Sequence, residues 1–121
     1  MNWRNDIPIF MQVIEQFKHD IILEKYQPDC KIKSVREFAL ELGINPNTVV
    51  KVYDILTKEG LIEVKSTNGY FLTKNIEKLN SLKSNFAEKY CKEFITNMQN
   101  IGYDLNETLG YLEEWKNGTR N

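Results

Sequence analysis

The 121-residue sequence is poor in the residue types that most often mark a site: one histidine, two cysteines, three prolines and six glycines. A zinc site of Cys and His ligands lacks its parts, because His19 is alone and Cys30 and Cys91 stand far apart in the chain. Two cysteines are also not the dense framework of a small secreted scaffold, so no disulfide is expected. An excess of either charge is missing too, since 16 Lys and Arg meet 17 Asp and Glu for a net charge of −1. Bulk charge cannot hold nucleic acid here, so any DNA contact needs a local patch. The longest aliphatic run near the N-terminus is Ile21-Ile22-Leu23, far short of a membrane span. Residues 1–6 carry no apolar signal core. The expected location is the cytoplasm, with no membrane partner. Glycine-rich phosphate loops, G-x-S-x-G and H-E-x-x-H are all absent, and the Glu113-Glu114 pair sits on a polar helix end. No enzyme, no metal and no cofactor is expected.

What the chain has is amphipathic order. With 41% hydrophobic and 27% charged residues, it has the composition of one soluble domain with a short appendage. After Pro8, placed as a first helical residue, Phe10, Val13, Ile14, Phe17 and Ile21 predict a helix over about 8–25, ended by Gln27-Pro28-Asp29. Ser34 with Glu37 forms a capping box ahead of a helix that buries Val35, Phe38, Ala39 and Leu42, stopped by Gly43. Asn45 then caps a third helix carrying Val49, Val52, Tyr53 and Leu56 and stopped by Gly60. Helix, tight turn and helix make a helix-turn-helix. The strand formers Leu61–Lys65 and 70–73 flank Asn68-Gly69, a strong hairpin signal, and a hairpin in that place is a wing.

From Asn75 the apolar positions Ile76, Leu79, Leu82, Phe86, Tyr90, Phe94, Met98 and Ile101 predict one long helix to about residue 101. A helix of that length needs a second surface to cover its stripe. Asp104 with Glu107 caps a short helix bearing Leu105, Leu109, Tyr111, Leu112 and Trp115, and residues 117–121 read as a frayed tail. The expected fold class is mainly α with a small β-hairpin. The expected division is residues 1–74 as a winged helix-turn-helix DNA-binding domain and 75–121 as an α-helical dimerisation segment.

Three places suit DNA. Asn47 and Lys51 lie off the buried stripe at the start of the third helix, where Asn pairs bidentately with adenine and Lys approaches guanine. Thr48 and the free N–H groups of that helix end suit a phosphate. Lys31, Lys33, Ser34 and Arg36 make a local basic patch. Lys65, Asn68 and Gly69 form the hairpin tip, where glycine permits close approach. Each also reads as an ordinary solvated surface, with Arg36 paired to Glu37 or Glu41. Their order along the chain favours DNA.

Residues 8–72 resemble the DNA-binding domain of the GntR family of bacterial transcription regulators. The matching residues are Pro8-Ile9-Phe10, Gln12, Pro28-Asp29, Ser34-Val35-Arg36, Phe38-Ala39, Leu42-Gly43-Ile44, Asn47-Thr48-Val49, Leu56, Glu59-Gly60-Leu61-Ile62, Gly69 and Phe71-Leu72. Asn45-Pro46-Asn47-Thr48-Val49, the short two-helix remainder and the Met98 to Glu107 stretch are similar to the YtrA subfamily and its dimerisation tail. The sequence departs from the family at Asp29, where Gly is usual, at Ile32-Lys33 and at Thr67. Pro46 stands in place of an arginine, whose contact is not carried over. The resemblance implies DNA contacts at Arg36, Asn45, Asn47, Thr48 and Gly69. It implies a homodimeric repressor on the palindromic operator of a transporter operon, with recognition helices about 34 Å apart. Leu79, Leu82, Phe86, Tyr90, Phe94, Met98, Leu109 and Leu112 are then expected on the pairing surface. A small-molecule effector, of identity unknown, would find a cavity lined by Tyr90, Phe94, Tyr103 or Tyr111, although rings at helical spacing equally make plain core. The alternative is a winged-helix module that binds protein in place of DNA, and steep salt dependence separates the two.

Overall fold

Val13, Phe17 and Ile21 recur on one face of α1 (Ile9–Ile22) and are buried, as are Phe38 and Ala39 of α2 (Val35–Leu42) and Val49, Val52, Tyr53 and Leu56 of α3 (Pro46–Lys58). In this computed structural model residues 2–118 are described, so Thr119, Arg120 and Asn121 of the expected tail lie outside the described residues. The three stripes meet in one core with Ile32, Leu61, Ile62 and Leu72. Val35 and Leu42, expected inside, are half-buried against it. Aromatic rings fill its centre. Phe38 stacks on Tyr53 at 6.0 Å between centroids, and Tyr53 meets the edge of Tyr70 at 4.7 Å. Burial of each such side chain stabilises by about 1.5–3 kcal/mol.

α1 is shorter than its spacing predicts. Pro8 is the N-cap and not a helical residue, and its carbonyl accepts the N–H groups of Met11 and Gln12. The helix stops at Ile22 because Leu23 is exposed, leaving no apolar contact to extend it, and Glu24 turns left-handed at φ 60°. The Lys25 N–H then closes on the Asp20 carbonyl.

β1 (Ile62–Val64) and β2 (Tyr70–Leu72) pair antiparallel, with Val64 opposite Tyr70. Asn68-Gly69 is not a two-residue turn. Residues 66–68 form a 3-10 turn, Ser66 takes φ 51°, and the Lys65 N–H donates to the Gly69 carbonyl. An edge segment also joins the wing. Lys31 bridges Phe71, the Ile32 N–H donates to the Tyr70 carbonyl at 3.0 Å, and the Leu72 N–H donates to the Cys30 carbonyl at 2.9 Å.

α4 (Ile76–Asn100) and α5 (Leu105–Lys116) complete the element order. By their contacts the residues divide into two compact units, Met1–Lys83 and Ser84–Asn121. Leu82 is buried in the core of the first unit, with Leu79 packed against it, so these two members of the expected pairing surface are already covered within the winged helix. In the second unit Phe86, Tyr90, Phe94 and Met98 line α4. There α5 opens with the predicted capping box of Asp104 and Glu107.

Candidate nucleic-acid interface

The turn between α2 and α3 fixes where the polar face of α3 starts. Gly43 closes α2 in the left-handed region, at φ 67° and ψ 37°, a conformation that costs other L residues more than glycine. Asn45 caps α3, its Oδ1 accepting the Asn47 N–H at 2.8 Å. With Val49, Val52, Tyr53 and Leu56 turned into the core, Asn47, Lys51, Asp54 and Lys58 are left exposed. Thr48 is half-buried and its N–H donates to the Asn45 carbonyl. The Lys51 ammonium sits 3.8 Å from the centre of the Phe10 ring, a cation–π contact that steadies it.

The start of α2 is organised by the predicted capping box. The Glu37 N–H donates to Ser34 Oγ at 3.1 Å, and the Ser34 N–H donates to Glu37 Oε1 at 3.1 Å. The hydrogen bond from the Ser34 backbone holds the Glu37 carboxyl below its ordinary range. Arg36 is exposed and pairs with neither Glu37 nor Glu41, and no described carboxylate forms an ion pair with it. Lys33 does not join it. Its ammonium lies 2.6 Å from Glu41, which stands about 140° around the helix from Arg36. There Lys33 lines a crevice with Trp3, Asp20, Tyr26 and Phe38. The basic patch read at 31–36 is therefore split. Its backbone is anchored from α3, because the Tyr53 O–H donates to the Lys33 carbonyl at 2.7 Å.

The wing gathers Lys31, Lys65 and Gly69. Gly69 takes φ 96° and ψ −156°, a backbone region essentially reserved for glycine, and a Cβ there would meet Lys31 Cε at 3.5 Å. Lys65 is paired with Asp29, and its ammonium lies 4.5 Å from the centre of the Phe71 ring. The Lys65 hydrogen bond is the main cause that holds the Asp29 carboxyl below its ordinary range. Asn68 is exposed, and its N–H donates to the Lys65 carbonyl. Sequence reasoning missed the Phe10 ring under Lys51, the Glu41 carboxylate on Lys33, and the Asp29 carboxylate and Phe71 ring beside Lys65. Only the departure at Asp29 from the family glycine hinted at any of them.

The model of bacterial regulatory proteins of the gntR family matches residues 11–72, which run from α1 to the end of the wing. The chain belongs to the GntR family. It is a helix-turn-helix transcriptional regulator of that family and not an enzyme. Among GntR relatives, the transcriptional repressor YtrA of Bacillus subtilis is 33% identical over 113 residues, covering 93% of this chain and 84% of its own. A GntR family regulator from Listeria monocytogenes shares the fold, with a TM-score of 0.85 and 24% identity over 93% of this chain and 98% of that one. The GntR-type DNA-binding domain of AraR, solved in complex with operator ORX1, aligns at 25% identity and a TM-score of 0.54, over 60% of this chain and 90% of that one.

The second unit carries a separate apolar feature. Phe94, Met98, Tyr103, Tyr111, Leu112 and Trp115 line a cleft of about 560 Å3, which Tyr90 does not reach. Tyr103 and Tyr111 meet edge to face there at 5.6 Å. Tyr90, Phe94, Ile101, Leu105, Leu109, Leu112 and Trp115 are exposed. Among the described residues no three His, Cys, Asp or Glu are grouped to hold a metal ion, and no helix is long and apolar enough to cross a membrane.

Proposed function

We propose that this regulator is a homodimeric repressor that reads a palindromic operator, with a transporter operon as its target. The observation that carries the reading is the N-terminal half of α3. It leaves Asn47 and Lys51 exposed beside an Asn45 cap while the opposite stripe is fully buried. In this reading Asn47 and Lys51 meet base edges and the Thr48 hydroxyl meets a phosphate; the N–H groups expected to help do not, because Asn45 already takes those of Asn47 and Thr48 and Pro46 has none. Arg36 reaches the groove from α2, beside Ser34. Asn45, Lys65, Asn68 and Gly69 follow the backbone, and Lys33 joins them only by leaving Glu41. Repression is supported by the likeness to YtrA, and a duplex partner by the operator-bound AraR domain.

Dimerisation is assigned to Phe86, Tyr90, Phe94, Met98, Leu109 and Leu112. Support comes from Phe94, Met98 and Leu112, gathered at one cleft, and from Tyr90 and Leu109, exposed on the same two helices, since exposed apolar side chains that cluster mark an interaction site. The cleft at Phe94 and Trp115 is the proposed entry for an effector. Two-fold symmetry then matches inverted half-sites. Selection of duplexes from a random pool by the full-length protein is expected to return an inverted repeat. On that repeat, Arg36→Ala should weaken binding by about 1–3 kcal/mol. Affinity should fall steeply with salt, as counterion release requires. A pool that returns no repeat, or affinity indifferent to salt, refutes the reading.

A further inference from the structure

We propose that Asp29 sets how strongly the wing grips DNA: it holds the Lys65 ammonium in an ion pair that a backbone phosphate has to displace. The inference rests on the reading above that places the wing on the duplex. Both partners are open to solvent, with side-chain exposures of 39% and 47%, so a phosphate can reach the ammonium without opening the fold. The Phe71 ring, 4.5 Å from the ammonium, also holds the charge near this end of the wing. Exchange therefore moves the ammonium a short way and leaves the wing backbone in place.

Asp29 is held at its post by the backbone. It adopts φ 62°, a left-handed conformation that Asp and Asn tolerate better than most residues, and its N–H reaches the Thr73 carbonyl at the end of β2. Lys65 and Lys74 both act to keep its carboxyl ionised, so the anion is present at neutral pH. A carboxylate fixed beside Lys65 does two things. It competes with phosphate for the same donor, and once displaced it repels that phosphate. Exposed ion pairs are weak, so the brake is modest and DNA can release it.

The test is a double-mutant cycle on the full-length protein, using a fluorescein-labelled mixed-sequence duplex of about 30 base pairs in low salt, where phosphate contacts dominate. Lys65→Gln should weaken binding. Asp29→Asn, which keeps a residue that tolerates this backbone, should tighten it by roughly two- to fivefold. In the Lys65→Gln background, Asp29→Asn should change affinity by less than about 1.5-fold, the mark of a pairwise effect. The salt dependence of Asp29→Asn should be steeper than that of the wild type, because no carboxylate is left bare on binding. Equal tightening in both backgrounds would make Asp29 a general negative charge and overturn the proposal, as would no tightening at all. If Lys65→Gln leaves affinity unchanged, the wing does not meet DNA, and it is the underlying reading that fails.

Discussion

Tyr53 does two jobs with one side chain. Its ring is in the core between Phe38 and Tyr70, and its O–H ends on the Lys33 carbonyl just ahead of α2. Burial pushes its phenol far above the ordinary tyrosine range. The folded pKa is thus raised over the unfolded one. The associated stability is full below about pH 10 and is lost as pH rises past it. Tyr53→Phe should therefore cost about 1 kcal/mol at neutral pH, from the hydrogen bond, and lessen the loss of stability above pH 10. Urea melts of both proteins at pH 7 and pH 10.5 measure this, and an unchanged alkaline loss would count against it. At this scale the sequence is legible where partners are close in the chain. Ser34 with Glu37 and Asp104 with Glu107 are read from spacing alone, because a capping box is a local geometry. Lys51 on Phe10 and Lys65 on Asp29 are not, because side chains brought together by folding leave no spacing to read.

The elements follow from local rules except where the wing is built. The three-residue link between α2 and α3 depends on Gly43, and a Cβ placed there would meet nothing within 4 Å. Gly43→Ala accordingly tests backbone strain without a clash. A loss of about 1 kcal/mol is expected in chemical denaturation, with the wild-type midpoint as the outcome that contradicts it. In the wing, Asn-Gly correctly announces a hairpin but not its loop. The dipeptide favours a two-residue turn, whereas the chain keeps Val64 opposite Tyr70 and spends the intervening residues on a 3-10 turn. The edge pairing of residues 30–32 with β2 was invisible for a different reason. It is three residues long, lies between two helices, and its partner is supplied from the far end of the domain.

Across the whole molecule, the charge balance now has a structural counterpart. Of the cations proposed to meet DNA, Lys33 and Lys65 are held in ion pairs, so these charges are individually placed and not pooled into a basic surface. The boundary of the first compact unit also alters where the chain can be cut. Because Leu79 and Leu82 pack on the winged-helix core, a fragment ending at Lys74 loses part of that core, while one ending at Lys83 keeps it. Residues 1–83 should fold cooperatively, run as a monomer in light scattering and bind the selected operator far more weakly than the full chain. A dimeric 1–83 fragment would remove the pairing role proposed for Phe86 onward. Family and fold were legible here because the helix-turn-helix spacing is dense in local signals, whereas the cleft at Phe94 and Trp115 is a matter of shape that spacing does not encode.

The bridge between Lys31 and Phe71 bears on the order in which the domain forms. α2 and α3 meet through neighbours in the chain, and such contacts close quickly. The pairing of residues 30–32 with β2 waits until the whole helix-turn-helix and wing have been drawn into a ring. Its closure entropy is expected to fall due late, so this edge pairing should form after the α2–α3 contacts and should gain from a partner that holds the ring shut. Time, as well as charge, is then part of how this protein meets a duplex.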